Sequence, residues 1–191
     1  MIFENRSKAP KVRNPIARPN GLGYNPIADA TCRAAIHIRP PMPQSLSNLL
    51  AHLIFSTKNR ESLLRGAVAA EIHPYLAGIL NNIGCPSIQV GGVSEHVHIF
   101  FRLSRTKALA EVVETVKTNS SKWIKTKGRE FDGFHWQSGY GAFSVSQSDS
   151  EAVIAYIRDQ PEHHRRVSYQ EEYRRFLDRY QIVYDEKYVW D

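Results

Sequence analysis

From residue 42 onward the chain alternates between stretches of strand-like and helix-like hydrophobic spacing, whereas no sustained apolar period precedes it. In "LSNLLAHLIFSTKNR" the β-branched and aromatic content from His52 to Thr57 predicts a first strand that gives way to Lys58 and Arg60. Residues 66–82 place Val68, Ile72, Leu76, Ile79 and Leu80 at helical spacing. Pro74 falls within that pattern, where it either kinks the helix or sits near its first turns. "CPSIQVGGV" reads as a short second strand with Gly91 and Gly92 as the connection, and "SEHVHIFFR" as the third. A long helix is predicted over "KALAEVVETVKTNSSKWIKTKG", with Leu109, Val112, Val113, Val116 and Trp123 on its apolar side and Gly128 as its stop. A fourth strand covers Ala142 to Ser146. A helix over "SDSEAVIAYIRDQ" and a C-terminal helix over "SYQEEYRRFLDRY" follow.

The order strand–helix–strand–strand–helix–strand predicts an α+β fold of the ferredoxin-like (RRM-like) class. This is a split βαβ with a central antiparallel sheet and helices on one face. Its first and third strands are central, where polar side chains are costly unless they are used. The third strand carries two. Side chains alternate along a strand, so His96 and His98 share one face while Val97, Ile99 and Phe101 take the other.

Composition narrows the class. A length of 191 residues with 42% hydrophobic content suits one globular domain with an appended tail. No apolar run approaches the ~20 residues of a membrane span, and the N-terminus lacks the apolar centre of a secretory signal. Cys32 and Cys85 form neither a disulfide framework nor a zinc spacing, which points to a reducing, cytoplasmic setting. The formal charge of +6 is unevenly distributed: residues 1–41 carry a net +5 and the remaining 150 residues a net +1. A nucleic-acid surface on residues 42–191 must therefore be a local patch. The Pro-rich segment 1–41 is expected to be either a disordered basic extension or sequence upstream of a true start at Met42.

Two imidazoles a few Å apart on one strand face are suited to sharing a metal ion. The motif is short, however, and eight histidines make a chance His-x-His common. The plain alternative is a pair of hydrogen-bonded histidines on a half-buried strand. A divalent ion needs further ligands and open positions. "YIRDQ" offers Tyr156 and Gln160 at i and i+4, a phenol one helical turn from an amide oxygen. Here the plain reading is a packing aromatic and a solvent-facing amide.

Taken together, "EHVHIFF", "WQSGYGAFSVSQS", "AYIRDQPEHH" and the closing "YDEKYVW" resemble the HUH single-tyrosine transposases, the REP-associated and insertion-sequence two-hundred-like group. The resemblance runs from about Met42 to the C-terminus. It implies a metal-dependent single-stranded DNA transposase/endonuclease that works through a 5′-phosphotyrosine and leaves a free 3′-hydroxyl. Tyr156 would be the nucleophile, and His96, His98 and Gln160 the ligands of Mg²⁺ or Mn²⁺. It further implies a homodimer, with the tyrosine helix serving its own or the partner's site, and single-stranded DNA as partner, including hairpin ends of its own element. Pro161 disfavours helical geometry at Gln160, and His163 or His164 stands ready to substitute.

Candidate DNA-backbone contacts are Lys58, Arg60, Lys117, Lys122, Lys125, Lys127, Arg165 and Arg166, against the plain reading of a solvated basic face. Trp123 and Trp136 are expected in the core. The main alternative is a domesticated, non-mobile nucleic-acid-binding protein of the same fold. A histidine-triad hydrolase needs a third same-face histidine where Phe100 stands, and an RRM module needs a glycine–aromatic signature that is missing.

Overall fold

In a computed structural model, residues 44–190 are described; the expectations for residues 1–41 and for Met42 as the start lie outside them. Four strands, β1 (Leu49–Ser56), β2 (Ser87–Gly92), β3 (His96–Leu103) and β4 (Gly141–Val145), form one antiparallel sheet in the order β2-β3-β1-β4. Between them run α1 (Gly66–Asn82) and α2 (Leu109–Lys125). This is the expected ferredoxin-like βαββαβ arrangement, with β1 and β3 at the centre.

Alternation along the two central strands divides the molecule into two chemistries. Ala51, Leu53 and Phe55 of β1 and Val97, Ile99 and Phe101 of β3 pack against α1 and α2, meeting Ile72, Leu76 and Leu80 from the first and Val112, Val116 and Ile124 from the second. Each of these side chains larger than alanine contributes about 1.5–3 kcal/mol relative to exposure, so this face supplies the main core. The opposite face presents His52 and Ile54 beside His96, His98 and Phe100. The expectation of helices on one face holds for α1 and α2 alone: this second face is covered by the three helices that follow β4, α3 (Ser150–Arg158), α4 (Gln160–His163) and α5 (Tyr169–Arg179), whose apolar residues need a sheet face of their own. Ile157 of α3 packs with Leu50 and Phe100, while Tyr169, Tyr173 and Leu177 of α5 pack with Ile54 and Phe143.

Local departures from the sequence reading have clear causes. Gly91 and Gly92 are not the connection but the last residues of β2, paired with His98 and Val97. A Cβ on Gly91 would lie 2.6 Å from the backbone oxygen of Ile157, so its absence lets α3 lie directly on the strand. α1 runs through Pro74 as a single helix. α3 stops at Arg158, and Gln160 opens α4 with Pro161 in its first turn, where a missing N–H costs nothing. Trp136 is buried as expected. Trp123 is only partly so, stacked on Tyr75 at 4.4 Å between centroids.

Candidate active site

The two histidines of β3 are fully buried and their rings stand 5.1 Å apart. Burying an imidazole without partners is costly, so each nitrogen has to be accounted for. Nδ1 of His98 lies 3.0 Å from Nε2 of His52, its neighbour on β1. Nε2 of His98 is 3.3 Å from Oε2 of Glu172 but not aligned for a hydrogen bond, and Nδ1 of His96 is likewise without a hydrogen-bond partner. Nε2 of His96 faces Oε1 of Gln160 at 3.3 Å.

Glu172 of α5 is the hub. It is 2% exposed, and its two oxygens face different groups. Oε1 accepts the Tyr156 hydroxyl and the Gln160 amide, the latter at 2.9 Å. Oε2 faces Nε2 of His164 at 3.2 Å and Nε2 of His96 at 3.8 Å. His96, His98, His164 and Glu172 each offer one ligand atom within 4.8 Å of the others, a group able to hold a metal ion. Orphaned nitrogens and a mixed imidazole–carboxylate donor set fit a divalent cation.

Electrostatics follow from this crowding. Burial pushes His98 down to about 4 despite Glu172 beside it, and burial with the neighbouring His98 lowers His52. Burial also opposes ionisation of Glu172, but the hydrogen bond with His164 and the imidazole of His98 beside it outweigh it and hold the carboxyl below its ordinary range. The Tyr156 phenol is pushed well above its ordinary range by burial and then by the charge of Glu172. Left as it is, the phenol stays protonated. A bound cation would reverse part of that penalty.

Two further residues brace the cluster. Oε1 of Gln137, in the loop before β4, accepts from the backbone N–H of Ser56 at 2.7 Å and the Tyr169 hydroxyl at 3.0 Å. The Tyr169 ring in turn lies 4.7 Å from that of His96. The "WQSGY" stretch thus ties β1 to the first turn of α5, which begins with a capping box between Ser168 and Glu171.

The residues singled out in the sequence divide into two groups. His96, His98, Tyr156 and Gln160 converge within one chain, joined by His164. Glu172 and His52 were not anticipated. Glu172 had a signal, for it lies on the same helical stripe as Tyr169, Tyr173 and Phe176, a carboxylate on an otherwise aromatic face. The basic residues are dispersed. Lys58 and Arg60 form a short turn after β1, with the Arg60 guanidinium 5.9 Å from the Trp190 ring centre. Lys127 pairs with Glu71 at 2.5 Å, and Arg165 and Arg166 pair with Glu162. Lys117 donates to the carbonyls of Gln137, Ser138 and Gly139. It lines, with Lys122 and Lys125, a groove of about 510 Å³ between α2 and that loop. The cavity beside Tyr156 contains none of these; its cations are Arg175 and Arg179.

The chain is similar to known proteins. The family described as IS200-like transposase matches residues 45–160, more than half of the chain. The ISDra2 transposase TnpA of Deinococcus radiodurans is 25% identical over 114 residues, 57% of this chain and 81% of that protein. A crystal structure of a candidate transposase from Deinococcus radiodurans R1 superposes with a TM-score of 0.50 at 21% identity, covering 63% of this chain and 97% of the other. A REP-associated tyrosine transposase bound to a REP hairpin gives 0.49 at 13% identity, covering 64% and 72%. The family match spans all four strands and ends on Gln160, taking in His96, His98 and Tyr156, and the chain therefore belongs to the IS200-like transposase family.

Proposed function

We propose that this transposase is a metal-dependent endonuclease that cuts and rejoins single-stranded DNA through Tyr156. The observation that carries the reading is Glu172. One of its oxygens holds the Tyr156 hydroxyl, and the other lies among His96, His98 and His164. A nucleophile and a potential cation site are thereby joined through one carboxylate.

His96, His98 and Gln160 would hold the ion, with His164 and Glu172 completing the set. Three imidazoles beside a carboxylate and an amide oxygen suit Mn²⁺ better than Mg²⁺, which prefers oxygen alone. When bound, the cation supplies positive charge that polarises the scissile phosphate and stabilises the charge developing on it. The Tyr156 oxygen bonds to phosphorus as its phenol gives up the proton directed at Glu172. The P–O3′ bond breaks, its electron pair leaves on the 3′-oxygen, and that oxygen takes up a proton. The products are a 5′-phosphotyrosine and a free 3′-hydroxyl. The ester keeps the energy of the broken bond, so attack by a 3′-hydroxyl rejoins DNA without a nucleotide cofactor. Tyr156 meets the cluster of its own protomer through Glu172, an arrangement that supports cleavage in cis. A homodimer would supply the second tyrosine needed for strand exchange. Lys122 and Lys125, which line the α2 groove, are the foremost of the expected backbone contacts, and hairpin ends of the element its natural substrates.

The test uses 5′- and 3′-labelled single-stranded DNA from the gene's own flanks, with Mn²⁺, Mg²⁺ or EDTA, beside Tyr156→Phe. A cation-dependent covalent adduct that keeps the DNA 3′ of the break and vanishes in the variant is the expected result. Tight binding without an adduct in either metal would replace this reading with a DNA-binding protein that no longer cuts.

A further inference from the structure

A cavity of about 400 Å³ opens beside Tyr156, between α3 and α5, and reaches the edge of the histidine cluster at His52, His163 and Glu172. One wall is Ala152 and Val153, the former one helical turn before the tyrosine. The other is Phe176 and Tyr180, with His52 and Glu172 at the inner end. The Phe176 ring stands 5.9 Å from that of Tyr156 and 5.0 Å from Phe143, on which it stacks, while the Tyr180 hydroxyl is tethered to the carbonyl of Ser144 at 2.9 Å. The two aromatic rings are therefore fixed in place, whereas Arg175 and Arg179, one turn apart on α5, are exposed and form no ion pair among the described residues. Asp149 is the opposing charge at the rim, and the Ser146 hydroxyl donates to it at 2.8 Å.

A slot with flat aromatic and aliphatic walls, two free guanidinium groups at its mouth and a nucleophile at its end is suited to a nucleotide. Bases stack on aromatic faces with little regard to sequence, and arginine forks match phosphate oxygens. A continuous duplex cannot offer a base to such a slot. We propose that this cavity receives the unstacked base of the nucleotide adjoining the scissile phosphate, with Arg175 and Arg179 on the flanking phosphates. The proposal rests on the reading of Tyr156 as the DNA nucleophile and names the part of the substrate that reaches it. It also accounts for α5, which lies beyond the matched family segment yet forms a wall of the site.

The experiment uses the full chain, Mn²⁺ and the flank-derived single strands, with the wild-type break mapped first. Ala152→Trp fills the slot from an exposed helical position; Ala152→Leu is the mild counterpart, and Arg175→Ala with Arg179→Ala removes the mouth charges. Strands carrying an abasic site on either side of the break, and Tyr156→Phe bound to strands with 2-aminopurine walked through the same positions, report on the base itself. Ala152→Trp and the double arginine variant should raise the KM for adduct formation at least tenfold, with thermal stability and Mn²⁺ affinity unchanged. One abasic position should cost wild type about tenfold and cost Ala152→Trp nothing further. 2-Aminopurine at that position should be quenched in Tyr156→Phe, and this quench should be lost when Ala152→Trp is added. Adduct formation by Ala152→Trp within twofold of wild type, or indifference to abasic sites on both sides, would overturn the slot while leaving Tyr156 as nucleophile. Absence of any wild-type adduct would fail the nucleophile reading, and the 2-aminopurine signal would then decide the slot separately.

Discussion

His52 and His98 meet across the central pair of strands, Nε2 of the first 3.0 Å from Nδ1 of the second. Tautomers are assigned from the surroundings. With His98 donating from Nδ1, its Nε2 lone pair faces the cluster of His96, His164 and Glu172, the arrangement a metal-ligating imidazole requires. His52→Leu should weaken Mn²⁺ binding about 10–100-fold, the usual effect of losing such a support. Stripping one partner from a buried nitrogen should also cost the metal-free protein about 1–3 kcal/mol. His52→Gln, whose amide oxygen can accept the same proton, should recover much of the affinity. Calorimetric or EPR titration with Mn²⁺ separates the two effects. Affinity unchanged in the leucine variant would leave His52 with a packing role only.

The same cluster should make the metal-free protein acid-sensitive. His98 is held down to about 4 in the fold by burial and has an ordinary value of 6.5 when unfolded. Between those values the unfolded chain binds the proton and the folded one does not, so stability falls as pH falls, by up to about 1.4 kcal/mol per pH unit for that site. Glu172 is depressed as well, so its contribution is full above the ordinary value of 4.5 and is lost below it. His164 is raised, with burial opposed by Glu172, and works the other way: its contribution is present below 6.5 and fades as pH rises. The net expectation is a melting temperature that drops steadily from pH 6.5 to 4 and further below. Chemical denaturation in EDTA across that range checks it. A flat profile would mean that the histidines are not buried as described.

Much of this design is visible in the sequence, for a physical reason. β3 carries polar side chains at period two where a central strand should be apolar, and that conflict marks His96 and His98. The order of hydrophobic periods fixes the sheet and hence the neighbours of β3. His52 obeys the same alternation on β1, but one histidine among apolar residues gives no second member to pair with. Glu172 is harder still. Its helix, "YQEEYRRFLDR", is mostly polar, and Glu171 beside it has an ordinary capping role. The stripe of Tyr169, Tyr173 and Phe176 sets Glu172 apart from Glu171, but only the knowledge that α5 lies across the histidine face says what that carboxylate meets. Gly91 reads as a turn because glycine pairs usually do. The backbone of α3 pressing on β2 is a tertiary fact that local spacing does not carry.

That contact makes Gly91 a test of how tightly the tyrosine helix must be seated. An added Cβ would fall 2.6 Å from the Ile157 oxygen and 2.7 Å from its Cγ2, so α3 must move or tilt. Overpacking of this kind costs about 1–3 kcal/mol. Because Tyr156 precedes Ile157, the shift passes to the nucleophile, and a displacement of about 1 Å can cost on the order of 100-fold in rate. Gly91→Ala is expected to keep the fold, lose a few degrees in melting temperature and form the tyrosine adduct far more slowly. Equal loss of rate and stability effects in a distant destabilising control, matched for melting temperature, would remove the special role of this contact.

Lysines along α2 should separate into two kinds. Burial lowers Lys117 to about 8, yet its ammonium donates at 2.9, 3.3 and 2.6 Å to the carbonyls of Gln137, Ser138 and Gly139 and stands 5.0 Å from the Phe55 ring centre. Those oxygens favour the charged form, so at neutral pH Lys117 acts as a clamp on the loop that carries Gln137 toward Tyr169. Lys122 is exposed and Lys125 half-buried on the same groove, and neither is in an ion pair among the described residues. Lys117→Met should therefore lower stability by about 1–3 kcal/mol and leave the salt dependence of DNA binding unchanged. Lys122→Ala with Lys125→Ala should do the reverse. Each lost phosphate contact reduces the slope of log affinity against log salt by about 0.7 for a single strand, with no change in melting temperature. Fluorescence anisotropy over a salt series, beside thermal melts of both variants, decides the matter. A reduced slope in Lys117→Met would return that residue to the DNA surface, and an unchanged slope in the double variant would move the DNA path away from the α2 groove.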